Sequence, residues 1–149
     1  MFTIIRTNSE NPDFINLVKQ LDADLAIRDG SDNAFYAQYY KIDTIKHAVV
    51  VYMDNNPVAC GAIKQFGPDT MEVKRMFTLP ENRGQGAAIK ILAELEKWAH
   101  ELSYRTCILE TGKRQPEAIA LYKKAGYKII LNYGQYAGIE NSVCFEKQV

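Results

Sequence analysis

The residues with the most evident chemistry are Arg83-Gly84-Gln85-Gly86-Ala87-Ala88. They follow an extended run, Met71 to Thr78 closed by Pro80, and lead into a long periodic stretch that reaches His100. A strand that passes through a glycine loop into a helix aims unpaired backbone N–H groups at its ligand, and those groups favour an anion. Three readings compete for this loop. A triphosphate loop ends in Gly-Lys-Ser/Thr, which is absent here. A dinucleotide fingerprint needs Gly or Ala where Ile89 stands and belongs early in a parallel sheet, whereas three antiparallel strands are expected before this loop. The third reading is a plain turn whose glycines serve chain reversal alone.

The remaining reactive side chains carry no motif by themselves. His47 and His100 have suitable intrinsic pKa values but no surrounding pattern, and both are expected to be structural or exposed. Lys74-Arg75 and Lys123-Lys124 are basic pairs that solvation explains as well as binding does. Cys60, Cys107 and Cys144 each lie in an apolar, strand-like run without metal-ligand spacing, so buried thiols in a reducing compartment are expected. Eighteen basic residues balance eighteen acidic ones, so no global field recruits nucleic acid or an anionic membrane, and any anion site must be local. No basic-then-apolar leader opens the chain and no apolar run reaches bilayer-spanning length, which points to the cytoplasm. At 149 residues the chain fits a single domain, 1–149, able to bury a core without disulfides.

The elements that must position these residues can be read in order. Phe2 to Thr7 is a strand. Asn11-Pro12 opens a helix carrying Phe14, Leu17, Val18, Leu21 and Leu25 at helical spacing, stopping near Asp29-Gly30. A second short helix begins at Ser31 or Asp32 and holds Phe35, Tyr36, Tyr39 and Tyr40. His47 to Tyr52 and Val58 to Phe66 form a hairpin whose loop, Asp54 to Pro57, is longer than the tightest two-residue type. Thr70 to Thr78 completes an antiparallel run of three. After the loop, Ala88, Leu92, Leu95, Ala99 and Leu102 make one apolar stripe, so that helix packs on the sheet. Arg105 to Glu110, reached by a helical crossover, is a candidate parallel neighbour of the strand before the loop. Gln115-Pro116 opens a helix running to Lys124 and stopped by Ala125-Gly126. Tyr127 to Leu131 and Ser142 to Glu146 are the last strands.

Arg83-x-x-Gly86-x-Ala88, after a strand and opening an amphipathic helix, resembles the Arg/Gln-x-x-Gly-x-Gly/Ala motif of the GNAT superfamily of acyl-CoA-dependent N-acetyltransferases. Gln115-Pro116-Glu117-Ala118-Ile119-Ala120-Leu121-Tyr122-Lys123-Lys124-Ala125-Gly126-Tyr127 is similar to that superfamily's second signature, with Gln115 for Asn and Tyr127 for Phe. The element order matches from first strand to last. The resemblance implies an α+β, three-layer fold with a mixed, mostly antiparallel sheet, splayed at one parallel strand pair and flanked by about four helices. It implies acetyl-CoA as co-substrate and no metal.

By the same resemblance, backbone N–H groups of Arg83, Gly84, Gln85, Gly86, Ala87 and Ala88 wrap the pyrophosphate, and Met76, Phe77 and Thr78 hold the pantetheine arm. Tyr122 takes the family's general-acid position, and Glu72 is the foremost candidate base, with Glu110 next. The acceptor site draws on Arg28, Asp29, Asp32, Tyr36, Tyr39 and Tyr40 on one side and Tyr133, Tyr136 and Asn141 on the other. Arg28 is placed to hold a carboxylate, and the expected acceptor is a small, amino-acid-like primary amine. A non-catalytic acyl-CoA sensor and a protein or peptide N-acetyltransferase are the alternatives. A homodimer through the late strands is compatible with the resemblance.

Overall fold

Strand β2 (His47–Met53) is buried at every residue from Ala48 to Val51, so both faces of the sheet it belongs to are covered. Val49 and Val51 point to one layer of helices and Ala48 and Val50 to the other. The computed structural model describes residues 1–37 and 45–149. Tyr39 and Tyr40 lie outside the described residues, as does the side chain of Asp29.

One layer is helix α1 (Pro12–Asp29), which follows strand β1 (Phe2–Thr7). Asn11 caps it, its side-chain oxygen accepting the N–H of Asp13 at 2.9 Å and of Phe14 at 3.0 Å, with Pro12 in the first turn where its missing N–H costs nothing. Phe14, Leu17, Val18 and Leu21 bury their apolar face against Ala48, Val50, Cys60, Ala62 and Phe77. A single 3₁₀ turn (Gly30–Asp32) then leads into the short helix α2 (Asn33–Ala37).

The opposite layer is built on helix α3 (Ala87–Glu101). Its buried residues are Ala87, Ile91, Leu92, Leu95 and Ala99. Leu92, Leu95 and Ala99 are buried as expected, and the stripe differs at its ends: Ala87 and Ile91 are buried, Ala88 is half-buried and Leu102, past the last turn, is exposed. Helix α4 (Pro116–Lys124) covers the same face and ends where Gly126 takes φ +95°, a conformation glycine adopts without strain.

The hairpin of β2 with β3 (Asn56–Gln65) turns on two residues, not the longer loop expected. Asp54 and Asn55 both have positive φ, 51° and 69°, and short polar side chains tolerate that left-handed conformation. Pro57 is accommodated inside the strand beside a register shift at Val51/Tyr52. The sheet has seven strands in the order β1-β2-β3-β4-β5-β7-β6, completed by β4 (Thr70–Thr78), β5 (Thr106–Gly112), β6 (Lys128–Ile130) and β7 (Ser142–Gln148). β6 is shorter than expected at both ends: Tyr127 is buried in the core and Leu131 is exposed. Among the described residues only β4 and β5 run parallel, joined by the α3 crossover, and the fold is the mixed, three-layer arrangement that the resemblance implies.

Two features of β4 position the site. Arg75 and Met76 together oppose the single residue Gly61 of β3, a bulge in which Arg75 takes φ +60° and its side chain pairs with Asp22 of α1. Pairing of β4 with β5 then covers only Thr70 to Glu72 against Thr106 to Ile108, beyond which the two strands form opposite walls of a cavity. Gly61 makes the bulge possible by its size, since a Cβ there would lie 2.5 Å from Met76 Sδ and 2.6 Å from Ile91 Cγ2. Gly61→Ala is expected to cost about 1–3 kcal/mol through overpacking, read as a lower urea midpoint at unchanged m.

Candidate active site

A fork in the sheet lets a side chain from one layer meet side chains from the other. Tyr122 stands on α4, in the core on the α3 side, where its ring packs 5.9 Å from Phe145 and 6.0 Å from Tyr127. Lys147 fixes the end of that helix, its Nζ donating to the Ala125 carbonyl and to Glu96 at 2.8 Å each. Through the fork, Tyr122 lines a cavity of about 130 Å³ with Glu72, Lys74 and Arg75 of β4, Glu110 to Gly112 of β5, and Tyr36 and Tyr136. It also lines a groove of about 350 Å³ above the glycine loop. Among the described residues, Tyr122 is the tyrosine that borders both spaces.

The groove gathers most of the expected cofactor residues: Met76, Phe77, Thr78, Arg83, Gly84, Gly86, Ala87 and Ala88 all face it, whereas Gln85 is exposed outside its wall. Gly84 and Gly86 have φ +79° and +87°, and a Cβ on either would meet nothing within 4 Å. Their backbone therefore faces open space at the start of α3, the geometry a phosphate needs. Arg83 folds back on β4, its Nε donating to the Thr78 carbonyl at 3.0 Å. Arg28 lies in this groove rather than in the central cavity, paired with Asp24 at 3.2 Å and with Glu117 of α4.

Around the central cavity the polar groups are tied into two short chains. Tyr133 Oη donates to Glu72 Oε2 at 2.6 Å, with Lys74 Nζ 3.7 Å from the other carboxylate oxygen. Glu72 is only 8% exposed, and Tyr133 stands behind it rather than in the cavity wall. On the β5 side, Ser142 Oγ donates to Glu110 Oε2 at 2.7 Å and lies 2.8 Å from Tyr36 Oη. Because Ser142 has one hydroxyl proton, Tyr36 must donate in that second bond. No motif contains Ser142, a polar residue that starts β7 opposite Gly112, two residues along β5 from Glu110.

Burial first, and the Glu110 charge second, raise the Tyr122 phenol well above its ordinary value, so it is protonated across the neutral range. Tyr133 is raised likewise by burial and by Glu72. Burial pushes the Cys60 and Cys107 thiols up to about 12 and Cys144 up to about 11, which makes all three poor nucleophiles. His47 packs edge-on to Trp98 at 4.8 Å, away from the cavity, with its pKa lowered by burial and then by Lys46, and His100 is exposed on α3. Among the described residues no group of three or more His, Cys, Asp or Glu could hold a metal ion, and no helix is long and apolar enough to cross a membrane.

The family model of the acetyltransferase (GNAT) family matches residues 13–127. A presumptive acyl-CoA N-acyltransferase from Klebsiella pneumoniae has a crystal structure that superimposes with a TM-score of 0.82 at 32% identity, covering 99% of this chain and 97% of that one. An uncharacterized N-acetyltransferase of Schizosaccharomyces pombe is 32% identical over 72 residues, 48% of this chain, and the match spans 44% of that protein's length. The PaiA N-acetyltransferase from Thermoplasma acidophilum, solved with coenzyme A, shares the fold at a TM-score of 0.76 and 14% identity over 100% of this chain and 99% of that one.

Proposed function

The chain belongs to the GNAT acetyltransferase family, and from that premise we propose that it moves an acetyl group from acetyl-CoA to the primary amine of a small, amino-acid-like acceptor. Acyl transfer is the chemistry of the family. The observation that carries the finer reading is the position of Tyr122, whose ring borders both the groove over the glycine loop and the cavity that holds Glu72 and Glu110. Acetyl-CoA supplies an activated thioester, and the residues around it do the rest.

The backbone of residues 83–88 and the walls of the groove fit a pyrophosphate and its arm, since both loop glycines present bare backbone to open space. Tyr122, protonated, donates to the departing sulfur. A carboxylate takes the amine's proton. Glu72 is the base that the family resemblance favours, but Tyr133 and Lys74 already engage its two carboxylate oxygens, while Glu110 lines the same cavity as Tyr122. The base is therefore assigned to Glu110, with Glu72 and the rings of Tyr36 and Tyr136 receiving the protonated amine as it enters. With the three thiols held protonated, attack is direct rather than through a cysteine.

The test is thiol release from acetyl-CoA across a panel of primary amines, amino acids and basic peptides. Turnover on small amines supports the reading; tight acetyl-CoA binding without turnover on any acceptor favours the sensor, and turnover confined to peptides favours protein acetylation. Gly86→Ala checks the loop. Its φ of +87° disfavours a side chain, so the KM for acetyl-CoA is expected to rise about tenfold, or about 1.4 kcal/mol, with kcat at saturation little changed.

A further inference from the structure

Beyond the central cavity lies a wider one of about 610 Å³, lined by Asp32, Phe35, Tyr36, Lys113, Arg114 and the segment 138–141. Tyr36 borders both. At their junction is Gly112, the last residue of β5, where a Cβ would stand 3.6 Å from Gln115 Nε2, 3.8 Å from Asn141 Nδ2 and 3.9 Å from the Arg114 backbone nitrogen. Three nitrogens from three different residues thus converge on the space that glycine leaves empty. Two backbone bonds hold them there: Lys113 N–H donates to the Asn141 carbonyl at 2.8 Å and Gln115 N–H to the Gly112 carbonyl at 3.0 Å.

Two of them, on Gln115 and Asn141, are side-chain amide nitrogens. Asn141 Nδ2 is buried and has no hydrogen-bond partner among the described residues, an unfavourable state that an accepting ligand relieves. Gln115 stands at the N-cap of α4 yet makes no side-chain cap bond. We infer that the space above Gly112 is a subsite for a carboxylate of the acceptor, held by the side-chain amides of Gln115 and Asn141. Glu110 and Gly112 lie two residues apart on one face of β5, about 6.6 Å, so an amine beside Glu110 and a carboxylate over Gly112 belong to one short molecule. The outer walls balance Lys113 and Arg114 against Asp32 and Glu140, which suits a zwitterion better than a polyanion. Arg28, on the groove side, has no part in this subsite.

The inference rests on the acyl-transfer reading for the role of the amine, but not for the carboxylate itself. Two measurements separate them: calorimetric binding of α-, β- and γ-amino carboxylates and their amides to the coenzyme A-loaded protein, and thiol release with the same panel. Gly112→Ala is the informative variant, because its methyl meets its neighbours at ordinary contact distances and fills the cradle without a strained φ. The wild type is expected to prefer a carboxylate over its amide by at least about tenfold in Kd and in KM. Gly112→Ala should reduce that preference to about twofold, with the KM for acetyl-CoA unchanged. Binding that follows this pattern without thiol release would sustain the subsite and remove the transferase reading. No preference in the wild type, no binding of any amino carboxylate, or a preference intact in Gly112→Ala overturns the subsite.

Discussion

Replacing Tyr122 by Phe lowers kcat about 10²–10³-fold and leaves the KM for acetyl-CoA within about twofold, as expected for loss of a general acid that contributes little to binding. Phe keeps the ring that packs on Tyr127 and Phe145, so the variant folds and the groove retains its wall. Only the hydroxyl at the meeting of groove and cavity is removed. The raised pKa makes a second expectation for the wild type. A group held above its ordinary value of 10.0 stays protonated as pH rises, so the rate shows no descending limb from this acid between pH 7 and 10. A Tyr122→Phe rate equal to wild type, or an alkaline limb below that value which the variant lacks, removes Tyr122 from the acid role or from its described surroundings.

The loop and the second signature could be read from sequence because their function is local. Gly84 and Gly86 sit where the backbone needs positive φ, and Tyr122 keeps a fixed offset from Pro116 and Gly126, which bound its helix. That α3 packs on the sheet was legible for a similar reason, its apolar residues Leu92, Leu95 and Ala99 recurring at helical spacing, whereas the three-layer arrangement came from the family resemblance. What escaped is long-range. Arg75 reaches Asp22 across 53 residues, and Tyr36 reaches Ser142 across 106, and no periodicity in either segment encodes those distances. Arg28 looked free to meet a carboxylate, because its cross-groove partner, Glu117, is 89 residues away. The middle of the α3 stripe follows from its spacing, but its start does not, because Ala87, Ala88 and Ile89 are all apolar and only the sheet decides which of them faces it.

Glu110→Gln is expected to lower kcat/KM about 10²-fold near neutral pH, while Glu72→Gln lowers kcat less than about tenfold and acts mainly through the acceptor KM. Both substitutions keep shape and remove a charge, so they differ only in where the charge stood. Glu110 accepts a hydrogen bond from Ser142 of β7, and its charge is felt at Tyr122, Tyr136 and Cys144; that of Glu72 is felt at Tyr133 and, less strongly, at Tyr136 and Cys144. Both carboxylates line the cavity that Tyr122 borders, and the one that serves as base takes a proton from the nitrogen that attacks there. Ser142 orients it, and Tyr133 with Lys74 holds Glu72 in its own bonds. The pH dependence has a definite sign. An enzyme without its base relies on amine already neutral in solution, a fraction that grows tenfold per pH unit below the amine's pKa. The deficit of Glu110→Gln therefore shrinks as pH rises from 7 to 9, whereas loss of a purely structural carboxylate gives a deficit that does not change with pH. If Glu72→Gln carries the large, pH-dependent loss instead, the base is the strand residue that the motif favours, and the amine sits against β4 rather than β5.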